Sequence, residues 1–188
     1  MAQNDDIIKA LRKEFFAYRN GIIADKLRKA GDPHTMIMGC LLADLTAIAR
    51  RASDALGNDV TRAAVAQALW DDTLSRECRL TSPMIYSASA MTLDLALDWC
   101  STVETVEIAD NLCHKLLRHI HEAQPLCLKL ITQDKPMVKY TGYRLMLNLL
   151  LLEKMQKCDS LRVAVEAEIP SASKPLIGVL NDILSEFD

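Results

Sequence analysis

The chain has 188 residues, half of them apolar, with 25% charged residues and a formal net charge of −3. This length suffices to bury a core, and no uncharged apolar stretch reaches the 18 residues that a membrane span needs. Residues 1–6 are polar and acidic where a secretory signal would be basic and then apolar, which predicts a cytoplasmic protein.

Apolar residues recur at helical spacing along almost the whole chain, and no alternating strand pattern persists. A first helix is predicted to about residue 20, where Gly21 breaks it, and a second to about residue 30, before Gly31 and Pro33. Further helices are predicted at about residues 43–52, 59–70, 72–86, 91–100 and 102–120. Pro125 and Pro136 each mark the first turn of a helix, and a last pair is predicted at about residues 161–168 and 174–187.

Helices joined by short loops, without a Gly- or Ser-rich linker, predict one all-α domain over residues 1–188. The architecture is an α-solenoid of stacked antiparallel helix pairs or a compact α-bundle, because each pair must cover the apolar face of the next.

Charge is segregated along the chain. Residues 9–29 carry seven bases against two acids, and residues 111–152 carry six bases against two acids, whereas residues 71–110 carry eight acids against two bases. This pattern permits a basic groove on an acidic protein, although ordinary solvated helix faces would also produce it. If the chain binds DNA, the bases of 9–29 and 115–144 are expected to converge on one concave face.

Several short motifs resemble those of a known family. Met38-Gly39-Cys40 leads into a helix near Ala43, and Ala68-Leu69-Trp70 is followed by Arg76-Glu77-Cys78-Arg79-Leu80. Together with residues 20–50, these motifs resemble the HEAT-like DNA alkylation repair proteins, the AlkD-type DNA glycosylases. The resemblance extends over roughly residues 1–155.

The resemblance implies a curved stack of helical repeats whose basic concave groove holds alkylated duplex DNA. It also implies hydrolysis of the N-glycosidic bond of an N-alkylated purine, without drawing the base fully into a pocket. Neither a metal nor another cofactor, nor a membrane, is implied, and the oligomeric state is left open. Asp110 falls at the position of the family's catalytic aspartate. The expected DNA contacts are Lys26, Arg28, Lys29, Lys139 and Arg144, for which ordinary surface charge is the alternative.

Asp110 also has a position in the helical pattern. Val106, Ala109 and Cys113 belong to the broad apolar face of the helix predicted at 102–120, and Asp110 lies at the edge of that face. A boundary carboxylate suits a groove lining, and it suits equally a surface ion pair with a base on a neighbouring helix.

Two features depart from the family. Val106 stands four residues before Asp110 where the family usually has an aromatic residue, and the usual paired arginines are reduced to Arg144 alone. Trp99 is expected to pack between repeats. A chain that lost its aromatic residues at the site would be a non-catalytic helical-repeat scaffold binding DNA or protein, which is the alternative function.

The remaining candidate ligands indicate structure rather than chemistry. Of the three histidines at 114, 119 and 121, only His114 and His121 would share a face of one continuous helix, and no metal-binding motif accompanies them. Six cysteines occur without a CxxC pair, and we expect them to be reduced core residues; they are at positions 40, 78, 100, 113, 127 and 158.

Overall fold

The computed structural model of the chain describes residues 2–187, which contain eleven α-helices and, as their only extended pairing, an isolated parallel bridge between Met36 and Ser75. The predicted all-α class is confirmed. The chain divides into two compact units, Met1–Met91 and Thr92–Asp188. The first unit contains α1 (Ala2–Ala17), α2 (Gly21–Lys29), α3 (Leu42–Leu56), α4 (Asp59–Trp70) and α5 (Arg76–Ile85). The second contains α6 (Leu93–Ser101), α7 (Val106–Lys115), α8 (Ala123–Ile131), α9 (Pro136–Leu151), α10 (Asp159–Glu168) and α11 (Lys174–Ser185).

Side-chain caps fix where the helices of the first unit begin. Asn20, Asn58 and Ser75 each accept a hydrogen bond from the amide three residues later, which satisfies one of the free N–H groups at a helix start. α5 packs against both α3 and α4, and α1 packs against α4. The core between them consists of fully buried apolar side chains such as Phe15 and Leu69.

α9 is the central helix of the second unit. It packs against α7, α8 and α11, and eleven of its sixteen residues are buried. Pro136 begins it, as predicted, because a proline lacks the N–H that has no helical partner at this position. Trp99 on α6 is almost fully buried, as expected for a packing residue.

Two of the predicted helices are shorter than the periodicity indicates. The helix predicted at 72–86 begins only at Arg76, because residues 73–74 form a turn and Ser75 pairs with Met36, whose N–H donates to Leu74 O and whose carbonyl accepts from the Arg76 amide. The helix predicted at 102–120 begins at Val106, capped by Thr105, and ends at Lys115 before a separate 3-10 turn, Leu117–His119. His114 and His121 therefore do not lie on one helix, which corrects the predicted shared face.

The remaining deviations concern ends and one cysteine. The first helix ends at Ala17, earlier than predicted, while α3 continues past residue 52 to Leu56, where Gly57 adopts a left-handed conformation with φ +70°. All six cysteines are free thiols, and five are buried as expected. Cys158 is exposed, because it lies at the start of α10 rather than within a helix face.

Candidate functional site

Asp110 lies on α7, facing α9. Thr105 starts this helix by accepting a hydrogen bond from the Ile108 amide, and the apolar residues of α7 turn towards α9 and place Asp110 at the edge of the buried face. Its side chain is 38% exposed. The Tyr140 hydroxyl donates a hydrogen bond of 2.9 Å to Asp110 Oδ1, and Arg144 Nε approaches the same oxygen at 3.2 Å. The carboxylate is thus fixed between a hydroxyl and a guanidinium, with one side open to solvent.

Tyr140 is the residue of this site that the sequence did not predict. It is buried on α9, one helical turn before Arg144, so that both side chains reach α7 from the same face. Burial raises the pKa of Tyr140 well above its ordinary value, and the neighbouring Asp110 carboxylate raises it further. The phenol therefore stays protonated and acts as a hydrogen-bond donor to the carboxylate.

Lys139, also on α9, forms an ion pair with Glu168 at 3.0 Å. Both side chains are largely buried, and the pair joins α9 to the end of α10. This contact occupies Lys139 within the fold. The sequence left a phosphate contact and ordinary surface charge as the alternatives for Lys139, and the pair with Glu168 is a third use of its charge.

The second unit also contains a cationic cluster, formed by the end of α7, the 3-10 turn after it and the segment after α9. Arg118 in the 3-10 turn has Nη2 3.3 Å from His114 Nε2, and its Nε donates to His119 Nε2 at 3.1 Å. Lys154 Nζ donates to the Arg118 carbonyl at 2.9 Å. We call these four residues, His114, Arg118, His119 and Lys154, the histidine–arginine cluster. The break after α7 creates it, since a continuous helix would separate the two histidines.

The predicted DNA contacts of the first unit lie on or near the surface of α2. Lys26 and Lys29 are exposed, while Arg28 pairs with Asp25 at 3.1 Å and donates to Ile37 O at 2.9 Å. Beside Arg28 opens a cleft of about 570 Å³ whose lining includes Phe16 and Arg19. Arg28 therefore supports the loop before α3 and also lines an open surface.

Part of the family-like motif has a structural explanation. Glu77 is fully buried, and its carboxylate accepts the backbone N–H groups of Met38, Gly39 and Cys40 at 3.1, 2.9 and 3.3 Å. Arg76 donates to the same carboxylate at 2.9 Å. Gly39 has φ +76°, and a Cβ there would lie 2.2 Å from a backbone oxygen of the α1–α2 connection. The glutamate thus holds the loop in a conformation that only glycine accommodates.

The comparisons with known proteins agree with these motifs. Residues 11–166 match the family described as "DNA alkylation repair enzyme". The chain belongs to this family. A search of curated proteins gave no significant match.

A solved structure supports the fold of this alkylation-repair family member. It is described as "a new family of proteins related to the HEAT-like repeat DNA glycosylases with affinity for branched DNA structures", and it is similar to this chain with a TM-score of 0.75 and 15% sequence identity. The match covers 95% of this chain and 74% of that one. The stacked helix pairs are therefore HEAT-like repeats, as the sequence predicted.

The departure at Val106 persists in three dimensions. Val106 is the first residue of α7, one turn before Asp110, and it is half-buried. An aliphatic side chain offers no π-face to a cation. Tyr140 supplies an aromatic ring close to Asp110, but the contact is made by its hydroxyl. In this member of the family, the carboxylate is held by hydrogen bonding.

Neither a metal site nor a membrane span emerges from the described part of the chain. Within residues 2–187, no group of three His, Cys, Asp or Glu side chains is arranged to hold a metal ion. Among the helices of that range, none combines the length and the apolar character needed to cross a membrane.

Proposed function

We propose that this alkylation-repair family member binds alkylated duplex DNA and hydrolyses the N-glycosidic bond of N-alkylated purines. The observation that carries the proposal is the fixed, half-exposed carboxylate of Asp110, beside Arg144 and held by Tyr140. Hydrolysis of the N-glycosidic bond needs a carboxylate that can lie beside the deoxyribose, and binding of the DNA strand needs a nearby cation that can contact a phosphate.

The N-glycosidic bond of an alkylated purine is already weak, because alkylation places a positive charge on the base that leaves. Positive charge grows on the deoxyribose as the bond to the base breaks, and the Asp110 carboxylate stabilises that charge. The same carboxylate orients a water molecule, which adds to the sugar carbon while its proton passes to Asp110. Tyr140 is a positioning residue, since its hydroxyl fixes the orientation of the carboxylate. Arg144 contacts a backbone phosphate.

A second candidate is a DNA-binding protein without glycosylase activity. Two observations favour it. Val106 provides no aromatic face for the sugar cation, and the Arg144 guanidinium already offsets part of the negative charge of Asp110. The similar solved protein is described as having affinity for branched DNA, which makes branched duplexes the substrates to test beside linear ones.

The first prediction separates the two candidates. Asp110→Asn should lower release of 7-methylguanine or 3-methyladenine from methylated duplex DNA by about 100-fold or more, because a neutral amide no longer stabilises the sugar cation. DNA affinity should stay within about twofold or rise slightly, since one negative charge near phosphates is lost. Base release is measured by chromatography and affinity by fluorescence anisotropy.

Two further variants sharpen this experiment. Tyr140→Phe should reduce the rate of base release without changing affinity, because the carboxylate loses its positioning hydrogen bond. Asp182→Asn, which removes an exposed acid on α11, is the matched control and should leave both quantities unchanged. Wild-type protein that binds linear or branched DNA but releases no base would establish the non-catalytic candidate. Failure to bind any DNA would contradict both.

A further inference from the structure

The hydrogen bonds of the histidine–arginine cluster define the protonation of both imidazoles. An arginine guanidinium has only donors, so Nε2 of His114 and of His119 must accept from Arg118. A ring nitrogen that accepts a hydrogen bond carries no proton. Both histidines are therefore neutral in this arrangement, with the proton on Nδ1.

The cluster is surrounded by positive charge. Partial burial lowers the pKa of His114, and so do the neighbouring cations Arg118, Lys115 and Arg144. Burial also lowers the pKa of His119, together with Arg118 and Lys154. These charges come from α7, the 3-10 turn, α9 and the segment after α9. The acid nearby on α7 is Asp110, and Arg144 already pairs with it.

The positive charge of this cluster is not balanced by a carboxylate within it. Two neutral imidazoles keep Arg118 in place, but their ring nitrogens accept hydrogen bonds instead of facing a carboxylate. An anion beside Arg118 would replace the two imidazole nitrogens as the acceptor of its N–H groups. Each Nε2 could then bind a proton, and the charged imidazoles would donate to the same anion. Lys154 and Arg118 already supply charge that a tetrahedral oxyanion could use.

We propose that the histidine–arginine cluster binds a backbone phosphate of DNA, and that His114 and His119 take up protons when the phosphate binds. This inference rests on the proposed DNA-binding function and adds a specific phosphate site and a pH dependence to it. The cluster lies close enough to Arg144 for the charge of Arg144 to act on His114, and Arg144 pairs with Asp110, so a phosphate bound there would anchor the strand near the reacting nucleotide.

The sign of the pH effect follows from linkage. Each histidine has a lower pKa in the free protein than in the complex, so binding takes up protons. Affinity therefore rises as the pH falls through the pKa of the complex, and it stops rising below the pKa of the free protein. The free-protein pKa values lie below the ordinary 6.5 of histidine.

The test measures the affinity of the full chain for a short DNA duplex at constant ionic strength. Wild-type protein should bind about tenfold more tightly at about pH 5.5 than at about pH 7.5. The double variant His114→Gln/His119→Gln should lose most of this pH dependence, because glutamine keeps the hydrogen-bonding capacity without titrating. His121→Gln is the matched control, since His121 is 96% exposed and lies outside the cluster, and it should behave as wild type.

Nuclear magnetic resonance provides an independent readout. The ring resonances of His114 and His119 should show higher pKa values with DNA bound, while those of His121 should not move. Tight binding with pH-independent affinity, or an unchanged slope in the double variant, would overturn the inference and leave the proposed function standing. A response of both histidines to inorganic phosphate but not to DNA would overturn the assignment to nucleic acid. Absence of DNA binding at every pH would overturn both proposals.

Discussion

At the scale of single residues, sequence reasoning placed Asp110 but not its surroundings. Helical spacing predicted a residue at the edge of an apolar face, and the 38% exposure of its side chain agrees with that position. The same spacing also allowed an ion pair with a neighbouring helix, and Arg144 forms one. Tyr140 lies 30 residues away in sequence, and only the packing of α9 on α7 brings its hydroxyl to Asp110. Such a contact has no local signal.

Glu77 gives the residue-scale prediction on stability. Glu77→Gln removes the negative charge that pairs with the buried Arg76 guanidinium and weakens three hydrogen bonds from the loop before α3. Breaking a buried pair from one side costs about 3–5 kcal/mol, so urea unfolding should show a loss of that order.

The matched control removes a carboxylate from an exposed pair. Glu166→Gln breaks the pair with Arg162 on the surface of α10, and exposed pairs of this kind contribute at most about 1 kcal/mol. Equal losses for the two variants would show that the Glu77 network does not hold the loop.

At the scale of elements, local signals predicted most helices and missed those shaped by tertiary contacts. Regular apolar spacing predicts the helix at residues 59–70 with both of its ends, and in the structure the Asn58 side chain caps its start. Apolar spacing predicts one helix over residues 102–120, since its apolar residues keep the same period. The chain instead turns after Lys115, which buries Leu116 and Leu117 and lets Lys154 bind the Arg118 carbonyl. The apolar spacing of residues 102–120 cannot indicate a contact with Lys154, which lies more than 30 residues further along the chain.

The contact between α8 and α9 gives the element-scale prediction. Gly142 on α9 lies so close to α8 that an added Cβ would lie 2.8 Å from Ile131 N and from Leu130 Cβ. Gly142→Ala must therefore push the helices apart, and the free energy of unfolding should fall by about 1–3 kcal/mol despite the better helix propensity of alanine.

Gly178 is the matched control because it is also a helical glycine, on α11, with nothing within 4 Å of an added Cβ. Gly178→Ala should raise the free energy of unfolding by about 0.5–1 kcal/mol. A stabilising effect at both positions would contradict the close approach of α8 and α9.

At the scale of the whole molecule, a net charge of −3 conceals how its basic residues are used. Bases and acids are segregated along the sequence, but the fold pairs some of the bases internally, namely Arg12 with Asp72 and Lys139 with Glu168. A count of bases therefore overestimates the charge available to DNA. Lys26 and Lys29, exposed on α2, differ in this respect from Lys139, whose partner the sequence could not identify because Glu168 is distant along the chain.

The salt dependence of DNA binding measures this difference. Each lysine or arginine that neutralises a phosphate contributes about 0.9 to the slope of log affinity against log salt concentration, because binding releases the counterion condensed there. Lys26→Gln/Lys29→Gln should therefore lower the slope by about 2, whereas Lys139→Gln should leave it nearly unchanged, since its charge is already offset by Glu168. Arg62→Gln, which removes a base paired with Asp59 at 2.8 Å, controls for the loss of one positive charge outside the predicted contacts. A wild-type slope near zero would contradict phosphate binding altogether. If Lys139→Gln lowered the slope as much as each of the two α2 lysines does, DNA would compete successfully with Glu168 for the Lys139 ammonium.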